Sequence, residues 1–293
     1  MRTIKNIVEF KNVSKHFKDF SLENINLQIK QGLVTGFVGA NGAGKSTTMK
    51  LMMNLLQADE GEIKVFGKSY DNNNEKEIKE RIGFVYDSNI FYESLNLKDI
   101  RRIIAPAYKN WSDKQFYDYI KLFELPLNKA IKTFSKGMQM KTSLALALSH
   151  DAEFIMMDEP TAGLDPVFRR ELLDILKDLM ADKRRTLFFS THITSDLEQI
   201  ADQITFIQRG KILFNESIQD IQERFALVKG KANLLNPSTE KSFISVKRSS
   251  NEFQALTNNA EEVRKSFGDQ VVLENATLED IMYYAKGARH QYV

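Results

Sequence analysis

The residues best suited to chemistry lie in the stretch Gly39–Thr47, whose sequence is Gly-Ala-Asn-Gly-Ala-Gly-Lys-Ser-Thr. It satisfies G-x-x-x-x-G-K-[ST], a pattern that holds phosphate. Its glycines let successive backbone N–H groups point inward as a nest of donors. Lys45 is then expected to reach the β- and γ-phosphates, and the Ser46 hydroxyl to bind Mg²⁺. The alternative is a glycine-rich turn with a surface lysine, but the apolar run Leu33–Val38 before it and a helix after it favour the phosphate site.

A pair of carboxylates, Asp158 and Glu159, follows the apolar run Phe154–Met157. At the end of a buried strand, the first carboxylate suits Mg²⁺ and the second suits a general base that polarises an attacking water. An acid pair in this place could also serve only as a turn and a helix cap. Its combination with the phosphate loop favours the catalytic interpretation.

The stretch Ser135-Lys136-Gly137-Met138-Gln139 opens a second predicted helix, which runs to about Ser149. A serine here could simply cap the helix. The hydroxyl, the free N–H groups and the helix dipole also form an anion site. Because Gly39–Thr47 already has a full set of phosphate donors, this second set is better explained by a nucleotide bound to another copy. The sequence therefore predicts a head-to-tail dimer with ATP between the subunits.

His192 follows the apolar run Thr186–Phe189, and of the four histidines only this one has such a setting. A lone histidine is usually structural, but at a strand end beside the acid pair its imidazole could bind the γ-phosphate and sense hydrolysis. Gly163-Leu164-Asp165, just past the acid pair, could carry information between the two sites.

Strands and helices must position these motifs, and the hydrophobic pattern predicts both. Alternating residues predict an antiparallel layer, and continuous apolar runs predict buried parallel strands. Strands are expected at Val8–Val13, Leu22–Ile29, Gly61–Gly67, Ile82–Tyr86, Phe154–Met157 and Thr186–Phe189, with a hairpin over Ile204–Phe214. Helices are expected at Ser46–Leu56, Leu97–Tyr108, Asp113–Phe123, Lys136–Ser149, Phe168–Met180 and Ile218–Phe225, and a polar surface loop at Asp71–Glu77.

The helical runs before Ser149 form an insertion over about 88–150, and the chain past residue 225 changes character again. Short strand-like pieces and two helices predict a small α+β appendage over 226–293. The pieces are the strands Ser242–Val246 and Val271–Leu273, a helix near Ala260–Phe267 and a helix after Thr277. One large domain with an appendage fits the length of 293 residues.

Composition excludes several classes of function. The net charge of +2 comes without a dense Lys/Arg stripe, so we expect no nucleic-acid partner. The absence of cysteine rules out disulfides and is compatible with a reducing cytosol. No run of about 18 apolar residues occurs, so any membrane span must come from another chain.

With these motifs in this order, the chain resembles the ATP-binding subunits of ABC transporters over about residues 5–225. The corresponding motifs are Walker A at Gly39–Thr47, the signature at Ser135–Gln139, Walker B at Phe154–Glu159, the D-loop at Ala162–Asp165 and the switch histidine His192. The resemblance implies an α/β P-loop NTPase fold: a RecA-like core with an antiparallel β layer and a helical subdomain. It also implies ATP hydrolysis with Mg²⁺, a cassette over 1–225, and an appendage over 226–293 for dimerisation or regulation.

The resemblance also assigns site residues. Phe17 corresponds to the aromatic that stacks on adenine; the alternative is a core aromatic at a strand end. The implied ATP-binding residues are Phe17, Asn41, Gly42, Ala43, Gly44, Lys45, Ser46, Thr47, Ser135, Gly137 and Gln139. The implied catalytic residues are Lys45, Glu159 and His192, and the implied metal ligands are Ser46, Asp87 and Asp158.

Two positions depart from the family pattern. The signature has Lys136 and Met138 where other residues are commoner, and Asp87 stands where the family usually places the Q-loop glutamine. Aspartate can bind a hard cation, but it is shorter and brings negative charge near the γ-phosphate and Glu159. We therefore expect slow or tightly metal-dependent hydrolysis.

Within the family, the Ile-Gly-Phe-Val-Tyr-Asp Q-loop, the signature and the short appendage resemble Gram-positive peptide and antibiotic exporter ATPases. These include the bacitracin-resistance type and the phenol-soluble modulin exporter. The resemblance implies a polytopic membrane permease, a homodimer or a heterodimer with a paralogous ATPase, and a peripheral place on the inner face of the cell membrane. Two alternatives stay open: a degenerate nucleotide-binding regulator, and a soluble ABC ATPase that acts on ribosomes or DNA.

Overall fold

The computed structural model describes residues 5–86 and 91–285. The strands are β1 Asn6–His16, β2 Ser21–Lys30, β3 Val34–Val38, β4 Glu60–Val65, β5 Lys68–Ser69, β6 Ile82–Val85, β7 Phe154–Asp158, β8 Thr186–Thr191, β9 Gln203–Gln208, β10 Lys211–Ser217, β11 Ala226–Lys231, β12 Ser245–Arg248, β13 Glu252–Thr257 and β14 Val271–Asn275. The helices are α1 Lys45–Met52, α2 Glu75–Glu80, α3 Leu97–Ile104, α4 Asp113–Leu122, α5 Lys136–Leu148, α6 Pro166–Leu179, α7 Thr194–Ile200, α8 Ile218–Arg224, α9 Ala260–Phe267 and α10 Leu278–Ala285.

The described residues separate into two compact units. One contains residues up to 193 together with 205–215, and the other contains 194–204 together with the chain from 216 onward. The first sheet has the order β2-β1-β4-β5, the second β10-β9-β3-β8-β7-β6, and the third β12-β13-β11-β14. The α/β fold predicted from the sequence, with its antiparallel layer and helical insertion, is confirmed.

The second sheet positions the chemistry. Strands β3, β8, β7 and β6 run parallel, so their carboxyl ends meet at one edge. The register places Val38 beside Thr191 and Asp158 beside Ser190. The buried runs on β7 and β8 suit strands that are covered on both faces. The loop after β3, the acid pair after β7 and His192 after β8 consequently emerge side by side.

Serine and asparagine caps start the helices of the insertion. Asn96 caps α3 by accepting N–H bonds from Lys98 and Asp99, and Asp99 completes a capping box. Ser112 caps α4 through the N–H group of Gln115. These caps explain why the predicted helical runs Leu97–Tyr108 and Asp113–Phe123 begin where they do.

Two segments differ from the expectation for the first unit. The predicted loop Asp71–Glu77 is a turn that leads into α2 at Glu75, because Asp71 accepts the N–H groups of Asn73 and Asn74 while Ile78 is buried. The helix predicted over Ser46–Leu56 ends at Met52, since the chain enters a left-handed conformation at Asn54.

The predicted helix Lys136–Ser149 is α5, and His150, just past its end, is a buried titratable group. Its ring stacks on Tyr108 at 3.9 Å between centroids, and its Nδ1 lies 3.2 Å from the Glu80 carbonyl oxygen. The side chain is 2% exposed. Burial lowers the pKa of His150 to about 4, against smaller opposing effects from backbone hydrogen bonds, that with Glu80 first, and from the charge of Asp151.

We therefore expect His150 to make stability depend on pH. The folded-state pKa lies below the ordinary value of 6.5, so the unfolded chain binds a proton first and stability falls as the pH drops from 6.5 towards 4. The full loss is about 3 kcal/mol, obtained at 1.36 kcal/mol per pKa unit. Urea unfolding at several pH values measures it. His150→Phe keeps a ring against Tyr108 and should flatten the profile between pH 6.5 and 5, whereas parallel profiles for both proteins would exclude this role.

The second unit is built on the antiparallel third sheet. Its core comprises Val228, Phe243, Phe253, Ala255, Val263, Phe267 and Val271. The predicted helix near Ala260–Phe267 is confirmed as α9, and α10 follows Thr277 as expected. The sequence pattern does not predict the strands β11 and β13, because the apolar residues of each are interrupted by polar ones. The two segments are recognised as strands only from their antiparallel pairing.

The helix α7 belongs to this second unit, although it precedes β9 in the chain. The backbone N–H of Leu278, which begins α10, donates to Glu198 Oε1 of α7 at 2.8 Å. This contact crosses 80 residues of sequence, so the compact units divide the chain differently from the predicted boundary at 225. None of the helices within residues 5–86 and 91–285 has the length and apolar character required for a bilayer span.

Candidate functional site

The loop after β3 presents free N–H groups at the start of α1. The N-cap residue is Gly44, with φ +113°, and among the described residues no side chain caps this helix end. The first turn carries no acidic residue. The first N–H groups of any helix have no partner within the helix, and here they stay open beside the positive end of the dipole. The end of α1 is therefore suited to an anion.

Two glycines of the loop are required for different reasons. A Cβ on Gly44, which has a positive φ, would lie 2.5 Å from Leu22 Cδ2. Gly39 does not have a positive φ, but a Cβ there would lie 2.4 Å from the Ile207 carbonyl oxygen. The loop pattern predicts that both glycines shape a turn, whereas the structure shows that Gly39 is needed for close backbone contact.

Lys45 is only 6% exposed and lies at the centre of the site. Its Nζ donates to the Gly39 carbonyl oxygen at 2.8 Å and lies 3.1 Å from Glu159 Oε1. Glu159 Oε1 accepts no hydrogen bond from the described residues, so its attraction to Lys45 is that of an ion pair without an aligned bond. The lysine predicted to bind phosphate and the glutamate predicted to act as general base are thus direct neighbours.

Hydroxyl groups hold both oxygens of Asp158. Ser46 Oγ donates to Oδ2 at 2.9 Å, and Ser190 Oγ donates to Oδ1 through a short hydrogen bond. A carboxylate and a hydroxyl are the hard oxygen ligands that Mg²⁺ uses together with substrate phosphates and waters. Among the described residues, no cluster of three or more acidic, histidine or cysteine side chains is suited to a metal.

Glu159 is held in an uncommon backbone conformation beside His192. Its φ is +46°, and its N–H donates to the Ser190 carbonyl oxygen at 3.0 Å. Its Oε2 accepts from the backbone N–H of His192 at 3.3 Å and lies 2.8 Å from His192 Nδ1. Because a carboxylate only accepts, Nδ1 carries the hydrogen in this pair. The structure thus brings Lys45, Ser46, Asp158, Glu159 and His192 together.

The signature residues form a separate group. Ser135 is exposed and caps α5 by accepting the N–H of Met138 at 3.2 Å. Lys136 Nζ donates to the Ala162 carbonyl oxygen at 2.5 Å, which joins the signature to the D-loop. A Cβ on Gly137 would lie 2.8 Å from the Phe168 ring. Gln139 Nε2 donates to the Phe134 carbonyl oxygen at 3.4 Å. The protein's own chain leaves Ser135 open to solvent.

Phe17 lies on the surface rather than in the core. It is 44% exposed, its ring lies 6.4 Å from that of Phe20, and Lys15 Nζ lies 5.9 Å from the ring centroid. This exposure contradicts the alternative of a core aromatic and leaves a ring face for a ligand. Asn41 and Gly42 are also exposed. Asp87, the third expected metal ligand, lies outside the described residues.

Sequence reasoning missed the role of Ser190 and the ion pair between Lys45 and Glu159. Both contacts cross from one strand end to another, and no local pattern marks them. One signal was available in the sequence: Ser190 lies one residue before the end of β8, and Asp158 is the last residue of β7. This signal becomes useful only when it is known that β7 and β8 are neighbours in the sheet.

Comparison with known proteins gives a consistent result. The profile of the ABC transporter family matches residues 22–162. The chain is 35% identical over 208 residues to the bacitracin transport ATP-binding protein BcrA of Bacillus licheniformis, covering 70% of this chain and 67% of that protein. Relatives with this identity and coverage share a fold and a family.

Solved structures agree with the sequence relatives. An ATP-binding subunit of an ABC transporter superposes with a TM-score of 0.67 at 26% identity, covering 74% of this chain and 92% of the other. A dimeric ATP-binding cassette, MJ0796, in a post-hydrolysis state with ADP and Pi gives 0.64 at 25% identity, covering 72% and 98%. This chain therefore belongs to the ABC transporter family, as an ATP-binding subunit that hydrolyses ATP.

Proposed function

We propose that two copies of this chain, or one copy and a paralogue, close head to tail on two ATP molecules. Walker A of one subunit and the signature of the other hold each ATP. The observation that carries the proposal is the presence of two helix starts suited to an anion, one beside the acid pair and one exposed at Ser135. The end of α1 adjoins the acid pair, while Ser135 at the start of α5 is exposed and available to a second chain. The dimeric cassette among the similar structures supports such a pairing.

In this proposal, each residue of the site has a distinct task in binding. The N–H groups at the start of α1 and Lys45 bind the phosphates, and the Phe17 ring stacks on adenine. Ser46, Asp158 and Asp87 would hold Mg²⁺, which when bound would offset the negative charge of the β- and γ-phosphates. Asn41 to Thr47 surround the phosphate chain, and Ser135, Gly137 and Gln139 approach it from the other subunit.

Hydrolysis uses the neighbours of Glu159. Lys45 must turn from Glu159 Oε1 to the phosphate, which frees this oxygen to accept a proton from the attacking water. His192 keeps Oε2 in place through Nδ1. For His192 to hold Glu159 and the γ-phosphate together, both ring nitrogens must carry hydrogens, because a phosphate oxygen also only accepts. Reopening of the dimer after hydrolysis resets the site.

The work done by ATP is proposed to be export through separate, polytopic membrane subunits, with a peptide or antibiotic as cargo. The similarity to BcrA, a bacitracin transport ATP-binding protein, supports this class. We place the protein on the inner face of the membrane, bound to its permease through the Q-loop around Asp87 and the helical insertion. Residues 1–225 form the working cassette, and 226–293 serve dimer contact or regulation.

Mixed dimers test the head-to-tail arrangement. Lys45→Ala disables Walker A in both sites of a homodimer, and Ser135→Arg blocks both signatures, so each homodimer should be inactive. A mixed dimer of the two variants has one site that combines an intact Walker A with an intact signature. We expect it to recover up to about half of the wild-type ATPase rate, since one of two composite sites is restored. ATPase assays on co-expressed, doubly tagged dimers measure this.

Arg170→Ala serves as a control for the mixing procedure, because Arg170 is exposed on α6 and has no part in the proposed site. A mixed dimer as inactive as either parent would contradict the composite site. Turnover that survives Lys45→Ala would contradict the role of Lys45 and the proposed position of the ATP site. Purification from membranes with a polytopic protein supports the transporter role, and purification with ribosomes or DNA opposes it.

A further inference from the structure

Ser190 is a buried polar residue to which the mechanism has so far given no task. It is the penultimate residue of β8, its register partner on β7 is Asp158, and its relative exposure is 0%. Its hydroxyl donates to Asp158 Oδ1 and accepts the N–H of Glu159 at 3.2 Å. One hydroxyl group therefore contacts both members of the acid pair.

The contact to Asp158 is independent of the phosphate loop. The other carboxylate oxygen, Oδ2, accepts from Ser46, which belongs to Walker A. A cation held by Ser46 would take a lone pair of Ser46 Oγ, whereas the hydroxyl of Ser190 contacts the other oxygen of Asp158 and lies outside the phosphate loop. Ser190 is then the neighbour on β8 that still fixes the plane of the carboxylate. Orientation by a second residue of this kind commonly tunes a metal ligand.

The contact to Glu159 stabilises a backbone that few residues adopt. With φ at +46°, Glu159 is in the left-handed region, which is costly for a residue with a side chain. Both the carbonyl oxygen and the hydroxyl of Ser190 receive its N–H. Two residues further along, His192 contacts the side chain of the same glutamate. The end of β8 thus holds the backbone and the carboxylate of Glu159 at once.

We infer that Ser190 is a positioning residue for ATP hydrolysis, which orients Asp158 for the cation and fixes Glu159 for the attacking water. The inference rests on the proposed roles of these two acids. It predicts that a change at Ser190 affects cation use and turnover more than nucleotide binding in the absence of Mg²⁺.

Ser190→Ala removes the hydroxyl with the smallest change in volume. We expect kcat to fall about 10- to 100-fold, as for the loss of a hydrogen bond to a charged group. The Mg²⁺ concentration for half-maximal rate should rise about tenfold. Independently of turnover, a fluorescent ATP analogue measures Kd with Mg²⁺ and with EDTA. The Kd in EDTA divided by the Kd with Mg²⁺ should be smaller in the variant than in the wild type. The Kd in EDTA itself should stay at the wild-type value.

Two further variants make the result specific. Ser190→Thr restores a hydroxyl on a residue that favours strands and should recover most of the Mg²⁺ response. Thr186→Val is the matched control, because it removes a buried hydroxyl from the same strand, where it accepts the N–H of Gly32 at 3.0 Å, away from the acids. It should lower the melting temperature as much as Ser190→Ala does and leave kcat and the Mg²⁺ response unchanged.

The outcomes separate the inference from the proposed function. If Ser190→Ala keeps the wild-type kcat and Kd ratio while Lys45→Ala is inactive, the inference is wrong and the ATPase stands. If Ser190→Ala and Thr186→Val lose activity equally, Ser190 is merely structural and the inference is also wrong. If Lys45→Ala retains turnover, the proposed site itself fails.

Discussion

Glu159→Gln is expected to lower kcat about 10²- to 10³-fold while the protein still binds ATP, since a general base typically contributes this much. Glutamine has the same shape and keeps the backbone contact to Ser190, but its amide cannot take a proton from water. It also removes the charge that attracts Lys45, so the lysine is free for phosphate. Steady-state ATPase assays and gel filtration with MgATP measure the two effects, and we expect an ATP-bound dimer.

Glu171→Gln is the matched control for this variant. Glu171 pairs with Lys141 at 2.9 Å, almost the distance between Glu159 and Lys45, but it lies on α6 and has no role in the proposed mechanism. It should show normal turnover. A Glu159→Gln protein that hydrolyses ATP at the wild-type rate, or that stays monomeric in saturating MgATP, would refute the role of Glu159 in the closed dimer.

Gly210→Ala is expected to cost about 4 kcal/mol or more of folding free energy, in the range reserved for severe backbone conflicts. Gly210 lies between β9 and β10 with φ +76°, and an added Cβ would lie 1.8 Å from the Ser21 carbonyl oxygen. No side-chain rotation relieves a clash between a Cβ and a backbone atom. Chemical denaturation, compared with wild type at equal temperature, measures the loss.

Gly67→Ala separates the cost of the positive φ from the cost of the clash with the Ser21 carbonyl oxygen. Gly67 has the same φ of +76°, but a Cβ there has no described atom within 4 Å. It should lose only about 1 to 2 kcal/mol, the cost of a left-handed conformation for a residue with a Cβ. Equal losses in the two variants would show that the approach of Ser21 to Gly210 is unimportant.

The same glycine also supports the nucleotide loop. The N–H of Gly210 donates to the Ala43 carbonyl oxygen at 3.0 Å, and its own carbonyl oxygen accepts the N–H of Glu23 at 2.9 Å. The loop is therefore held to the turn after β9 by a backbone contact. We expect any Gly210→Ala protein that folds to bind ATP less tightly, whereas Gly67→Ala should bind it normally.

Local sequence was sufficient for the motifs and for most of the first unit. The phosphate loop requires glycines, a lysine and a hydroxyl within nine consecutive residues, so its pattern is visible without a fold. Continuous apolar runs marked β7 and β8, because strands covered on both faces need no polar residues. Family membership followed from the order of five such motifs, and the comparisons confirmed it.

The sequence by itself thus determined which residues we propose for the chemistry, since the phosphate loop, the signature and the acid pair are each coded within a few neighbouring positions. Only the tertiary structure decided how they meet. The strand order β3-β8-β7 puts Ser190 in contact with both acids and Lys45 beside Glu159. Each of these contacts joins residues more than thirty positions apart in the chain. Gly39 is a further example, because the backbone of Ile207, far along the chain, leaves no room for a Cβ at this position. Hydrogen bonds and close packing between distant segments depend on the register of strands, which no local pattern specifies.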